Sequence, residues 1–169
     1  MRLTILLLLL LFSFSIERIL AQNPQTIEVV RDKTVTIYVY DSNSNLLSTG
    51  SGFLSGQKGE IATNHHVIFV SGATYASVKF PNNDNVYPIV STLRKDRLLD
   101  LAVVKIDLNT TSLPFGKNDD YAVGQKIYSI GSPLGLSGTI SDGIISSHRE
   151  ISSFEHMQIT TPVSPGSSG

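Results

Sequence analysis

The sequence predicts an all-β protein, a small antiparallel barrel followed by a second, incomplete run of strands. Three observations carry this. Short runs of alternating apolar and polar residues recur along the chain, as half-buried strands require. Clusters of Gly, Asn, Asp and Pro separate these runs at hairpin spacing. No apolar repeat of helical period extends beyond about two turns, so no long helix competes for the same residues.

Taken in chain order, the first segment is not part of the fold. Arg2 precedes an apolar stretch from Leu3 to Phe14 that contains the leucine run Leu6 to Leu11. The stretch is shorter than the roughly 20 residues a membrane-spanning helix needs, and Glu17 and Arg18 soon interrupt it. Residues 1–21 therefore read as a signal peptide, with cleavage expected after Ala21 and Ser15 as the second choice. The domain is expected to be exported, periplasmic or secreted, with no stable membrane insertion after cleavage.

Six strands follow. Val35 to Tyr40 alternates cleanly, Asp41 to Asn45 supplies a turn, and Leu46 to Leu54 is the second run. Further strands are expected near Glu60 to Thr63, Tyr75 to Phe80, Val86 to Leu93 and Leu101 to Ile106, with Pro81 to Asn85 as a hairpin loop. This density is that of a small barrel covering residues 33–107. Residues 108–124, with Pro114, Gly116 and the Asn118-Asp119-Asp120 cluster, have linker composition. Residues 125–169 hold about three more strands, near Lys126 to Ile130, Gly138 to Ser147 and His156 to Thr160, and read as a partial second barrel.

Composition excludes several functions. With 13 basic and 14 acidic residues the net charge is −1, so no electrostatic footprint for nucleic acid exists. The chain contains no cysteine. An exported protein without disulfides must hold together by its core, which sets it apart from disulfide-stapled secreted domains.

The chemistry-bearing residues are His66 in Thr63-Asn64-His65-His66-Val67, Asp100 in Asp100-Leu101-Ala102, and Ser168 in Pro165-Gly166-Ser167-Ser168-Gly169. Acyl transfer needs a nucleophile, a base held in one tautomer and donors aimed at the developing oxyanion. His66 is the candidate base, Asp100 the carboxylate that fixes its tautomer, and Ser168 the nucleophile. The backbone N–H groups of Gly166 and Ser168 are the candidate oxyanion hole. Singly, an Asp-Leu-Ala is an ordinary strand start and a Ser in a Gly-Ser loop is an ordinary loop residue; together they reinforce one another. His65 and His66 as a zinc pair fail on geometry, because adjacent residues point apart, so no metal is expected. Gly135-Leu136-Ser137-Gly138 lacks the Lys and helix of a phosphate loop. His148 and His156 match no motif.

These stretches, with Gly50-Ser51-Gly52-Phe53, Val123-Gly124-Gln125 and Ile130-Gly131-Ser132-Pro133-Leu134-Gly135, resemble the trypsin-like serine endopeptidases, closest to the cysteine-free bacterial HtrA/Deg branch. The likeness spans about residues 33–169. It implies two six-stranded barrels of trypsin-like type with the active site between them, and it selects His66 over His65 as the base. It also implies that Pro162 forms the floor of the substrate pocket, with Val163 beside it, and neither offers a carboxylate to a basic side chain. Departing from the branch's usual pattern, Thr160-Thr161-Pro162-Val163-Ser164 precedes the nucleophile loop. The function implied is an exported serine endopeptidase that acts on peptides or unfolded proteins through an acyl-enzyme, without a cofactor. Because the sequence stops just after Ser168, the chain is expected to be a fragment or truncated form. The alternative is a catalytically inactive protease-like domain that binds peptides or protein partners.

Overall fold

The alternation of Thr34–Tyr40 is resolved in the computed structural model, which describes residues 24–56, 58–117, 121–151 and 154–169. The expected signal peptide, residues 1–21, and the Asn118-Asp119-Asp120 part of the expected linker lie outside the described residues. The chain divides into a unit ending at Val30 and a second from Arg31 to Gly169. Helix α1, Pro24–Arg31, closes the first and buries none of its residues. The sequence pattern predicts no helix here. Eight residues give too few turns for an apolar period to register, although Pro24 at the first position suits a helix start.

From Arg31 onward the fold is β. Strands β1 (Thr34–Tyr40), β2 (Leu46–Leu54), β3 (Glu60–Asn64), β4 (Tyr75–Lys79), β5 (Val86–Asp96) and β6 (Leu101–Ile106) close a barrel in the order β1-β2-β3-β6-β5-β4. All neighbours are antiparallel, and closure removes the free edges that a flat sheet would expose. Val35, Ile37 and Val39 of β1 point inward, each 1% exposed or less, and meet Leu54, Ile61, Val78, Val104 and Ile106. Each such side chain contributes about 1.5–3 kcal/mol by leaving water. Without disulfides, this core is what holds the barrel closed.

Part of the other face of β1 and β2 is buried as well, and there the side chains are hydroxyls. Thr36 and Ser51 are register partners, at 0% and 3% exposure. They meet the second sheet, β7 (Lys126–Gly131), β8 (Thr139–Ile151) and β9 (Phe154–Ile159), ordered β7-β8-β9. Thr36 Oγ1 lies 2.7 Å from Ser132 Oγ and 2.6 Å from Ser137 Oγ, both just beyond β7. β5, β8 and β9 run longer than the sequence pattern suggested. Their added residues are exposed on both faces, so no burial alternation marks them. Among the described residues no helix is long and apolar enough to cross a membrane.

Two glycines of β2 shape the barrel mouth. A Cβ on Gly50 would stand 2.6 Å from both γ-carbons of Val67, and one on Gly52 would stand 2.9 Å from Ile61 Cγ2. Val67 fills the space Gly50 leaves, and it belongs to the helical turn α2, His65–Ile68. Gly50→Ala is therefore expected to destabilise the protein by about 1–3 kcal/mol through overpacking. Adding Val67→Ala should recover part of that loss, so urea denaturation of the two single variants and the double variant should show a stabilising coupling; additive effects would contradict the packing account.

Candidate active site

The site begins where β3 ends. Pairing of β3 with β6 sets Thr63 against Ala102 and Asn64 against Leu101, which brings the residue before β6, Asp100, beside the start of α2. With Val67 turned into the barrel at 1% exposure, the preceding His66 faces outward, its side chain 57% exposed.

Asp100 is then held from both sides. Its carbonyl accepts hydrogen bonds from His65 N at 3.1 Å and from Asn64 Nδ2 at 2.8 Å. Its carboxylate accepts His66 N at Oδ1, 2.9 Å, and His66 Nδ1 at Oδ2, 2.6 Å. Serving both directions requires the left-handed backbone, and Asp100 has φ 53°. That conformation costs on the order of 1 kcal/mol or more, least for Asn and Asp among residues with a side chain. Asp96 supports the turn, its Oδ1 accepting the N–H groups of Leu98 and Leu99.

A carboxylate only accepts, so the His66–Asp100 contact places a proton on Nδ1, and in the neutral ring this leaves Nε2 as an acceptor. Desolvation pushes the Asp100 carboxyl up, but the two hydrogen bonds from His66 and the charge of the neighbouring imidazoles outweigh it and hold the carboxyl below its ordinary value. Its contribution to stability is thus present above the unfolded aspartate range and is lost as pH falls through the lower folded value. With the side chain 44% exposed, solvent screens that contribution.

His65 is occupied elsewhere. Its ring stacks on Phe69 at 4.5 Å, and Lys95 Nζ lies over the far aromatic at 4.7 Å. Among the described residues no group of three or more His, Cys, Asp or Glu could hold a metal ion. His148 pairs with Glu155 at 3.3 Å and stacks on Tyr121, and His156 Nδ1 lies 3.0 Å from Phe154 O; both stand on the β8–β9 hairpin.

The C-terminal segment reaches the barrel through Ser51, a residue of the Gly50-Ser51-Gly52-Phe53 motif to which the sequence assigns no role of its own. Ser51 N donates to Ser168 O at 2.6 Å, and Ser51 Oγ donates to Gly166 O at 2.8 Å. Gly166 has φ 90°, a conformation glycine reaches without penalty. Gly169 sits against Ser51 so closely that an added Cβ would fall 1.7 Å from the Ser51 carbonyl oxygen. Among the described residues, the N–H groups of Gly166 and Ser168 and the Ser168 hydroxyl have no hydrogen-bond partner. His66 and Asp100 are thus joined directly, whereas Ser168 reaches the barrel by its backbone and makes no hydrogen bond to His66. Pro162 and Val163 line a recess of ≈370 Å³ together with Ser129, Ser141, Ser167 and Gly169, and among the described residues no carboxylate borders it.

The profile of the trypsin-like peptidase domain matches residues 50–169. Among curated proteins, the chain is similar to the chloroplastic Protease Do-like 1 of Arabidopsis thaliana, 36% identical over 132 residues that cover 72% of this chain and 29% of that protein. It is also similar to a probable periplasmic serine endoprotease, DegP-like, of Chlamydia pneumoniae, 35% identical over 126 residues that cover 71% of this chain and 25% of that protein. The crystal structure of the serine endoprotease from Yersinia pestis matches with a TM-score of 0.73 at 30% identity, over 86% of this chain and 50% of that one. The chain therefore spans 25–29% of these two curated relatives and half of the solved protein. A closed six-stranded barrel beside an incomplete second sheet agrees with that structural likeness, and with its profile running over most of the sequence, the chain belongs to the trypsin-like peptidase domain family.

Proposed function

We propose that this is an exported serine endopeptidase whose triad is His66, Asp100 and Ser168. The observation that carries the reading is the 2.6 Å His66 Nδ1 to Asp100 Oδ2 contact, which leaves Nε2 free to take a proton. In this reading Nε2 removes the Ser168 hydroxyl proton as Oγ attacks the scissile carbonyl carbon. The oxyanion of the tetrahedral intermediate is stabilised by the unpaired N–H groups of Gly166 and Ser168. The imidazolium then protonates the departing amine, leaving an acyl-enzyme on Ser168. Water, deprotonated by His66, attacks the ester carbonyl; the C–Oγ bond then breaks, the imidazolium returns its proton to Ser168 Oγ, and the new acid leaves as its carboxylate. Peptides and unfolded proteins are the proposed substrates.

The unit boundaries proposed are residues 33–107 for the barrel carrying His66 and Asp100, 108–124 for the linker, and 125–169 for the part carrying Ser168. Export follows from the Arg2 and Leu3 to Phe14 pattern, and the periplasmic description of the Chlamydia relative supports it.

Treatment with a fluorophosphonate is expected to label Ser168, and His66→Ala should abolish labelling by removing the base. Labelling at full rate in that variant would defeat the triad; no labelling of the unaltered protein would favour a peptide-binding domain instead. Asp100→Asn should leave the fold intact and cut turnover by about four orders of magnitude, because the amide stabilises the wrong imidazole tautomer. With no carboxylate among the described residues of the Pro162–Val163 recess, cleavage is expected after small or aliphatic residues; a peptide library that selects Arg or Lys at that position would refute the pocket.

A further inference from the structure

We infer that Ser51 is a positioning residue for the oxyanion hole, acting through its side-chain hydroxyl. The inference rests on the reading of Gly166 and Ser168 as the oxyanion donors and assigns a role to a residue outside the triad. A serine hydroxyl has one proton to give and two lone pairs to receive. Ser132 N–H donates to Ser51 Oγ at 2.8 Å, so one lone pair is taken and the proton is directed to Gly166 O at 2.8 Å. The rest of the residue is equally committed: its carbonyl accepts Thr63 Oγ1 at 2.7 Å and its N–H donates to Ser168 O at 2.6 Å. At 3% exposure, water offers no substitute partner for these bonds.

The consequence falls on one peptide plane. The Gly166–Ser167 peptide is pinned at its carbonyl by Ser51 Oγ and at its N–H by Ser164 O, 2.9 Å away. The Gly166 and Ser168 N–H groups belong to the peptides on either side of it and have no acceptor among the described residues. Deleting the Ser51 hydroxyl removes the donor that the half-buried Gly166 carbonyl has among the described residues and leaves that peptide tied at its N–H end alone. Donors aimed at a developing charge lose much of their effect when misplaced by about 1 Å, so the loss expected is on the order of 10- to 100-fold in the rate of Ser168 acylation.

Ser51→Ala, Ser51→Thr and Thr36→Val are compared with the unaltered protein by three readouts: the rate of fluorophosphonate labelling at Ser168, the affinity for a peptide aldehyde, and the heteronuclear NOE of the Gly166 to Ser168 amides. Ser51→Ala should slow labelling, weaken aldehyde binding in parallel and lower the NOE of those amides, and Ser51→Thr, which keeps the hydroxyl, should restore all three. Thr36→Val removes the neighbouring buried hydroxyl, which touches Ser132 and Ser137 but not Gly166; it should lower the melting temperature without slowing labelling. A Ser51→Ala protein with unchanged labelling rate and unchanged NOE overturns the inference, as does equal slowing by Thr36→Val. If the unaltered protein does not label, the triad reading fails, and the NOE comparison alone decides whether Ser51 orders the loop.

Discussion

Antiparallel pairing of β3 with β6, in the register that sets Asn64 against Leu101, is the constraint on which the candidate site depends. A shift of one residue would turn the inward face of the displaced strand outward, taking either Ile61 of β3 or Val104 and Ile106 of β6 out of the core. Those side chains are 0% exposed, so the register is enforced by the burial of the barrel itself. Given that register, Asp100 and His66 have little freedom. The carbonyl of Asp100 is claimed by Asn64 and His65, and its carboxylate meets the His66 ring. The strained φ of Asp100 is tolerated because four hydrogen bonds and the ends of two strands all require it.

Two kinds of adhesion divide the structure. Apolar burial closes the barrel, whereas buried hydroxyls on its outer face join it to β7 and the C-terminal segment. The first is nondirectional and tolerates conservative exchange. The second is directional, and each hydroxyl that loses its partner leaves a buried polar group unsatisfied at a cost of about 1–3 kcal/mol. Small residues make this contact possible. Gly50 and Gly52 admit Val67 and Ile61 on the inside, while Ser51 between them serves the outside. One tripeptide thus holds α2, which carries His66, and the loop that carries Ser168.

The strands were legible because their inward residues alternate with period two between turn residues, and β1 to β4 begin and end within a residue or so of the expected places. The exposed ends of β5, β8 and β9 were not, because residues that bury neither face carry no alternation. The four-residue helix α2 was legible only as a turn. His66 and Asp100 stood out because their motifs restrict residue type; the left-handed backbone of Asp100 left no mark, since Asp before a strand is common. Ser51 was legible as part of the Gly50-Ser51-Gly52-Phe53 motif within an expected strand, but the partners of its hydroxyl were not, because they lie more than 80 residues away in sequence.

The central claim is that Asp100 fixes His66 in the Nδ1–H tautomer and keeps Nε2 available as a base. Nitrogen-15 NMR of histidine-labelled protein at neutral pH tests it most directly. The account predicts a His66 Nδ1 signal of protonated type, coupled to a far-downfield proton that disappears in Asp100→Asn, and an Nε2 signal of unprotonated type. A ring found mainly as the Nε2–H tautomer, or one averaging freely between the two with no downfield proton, would contradict it.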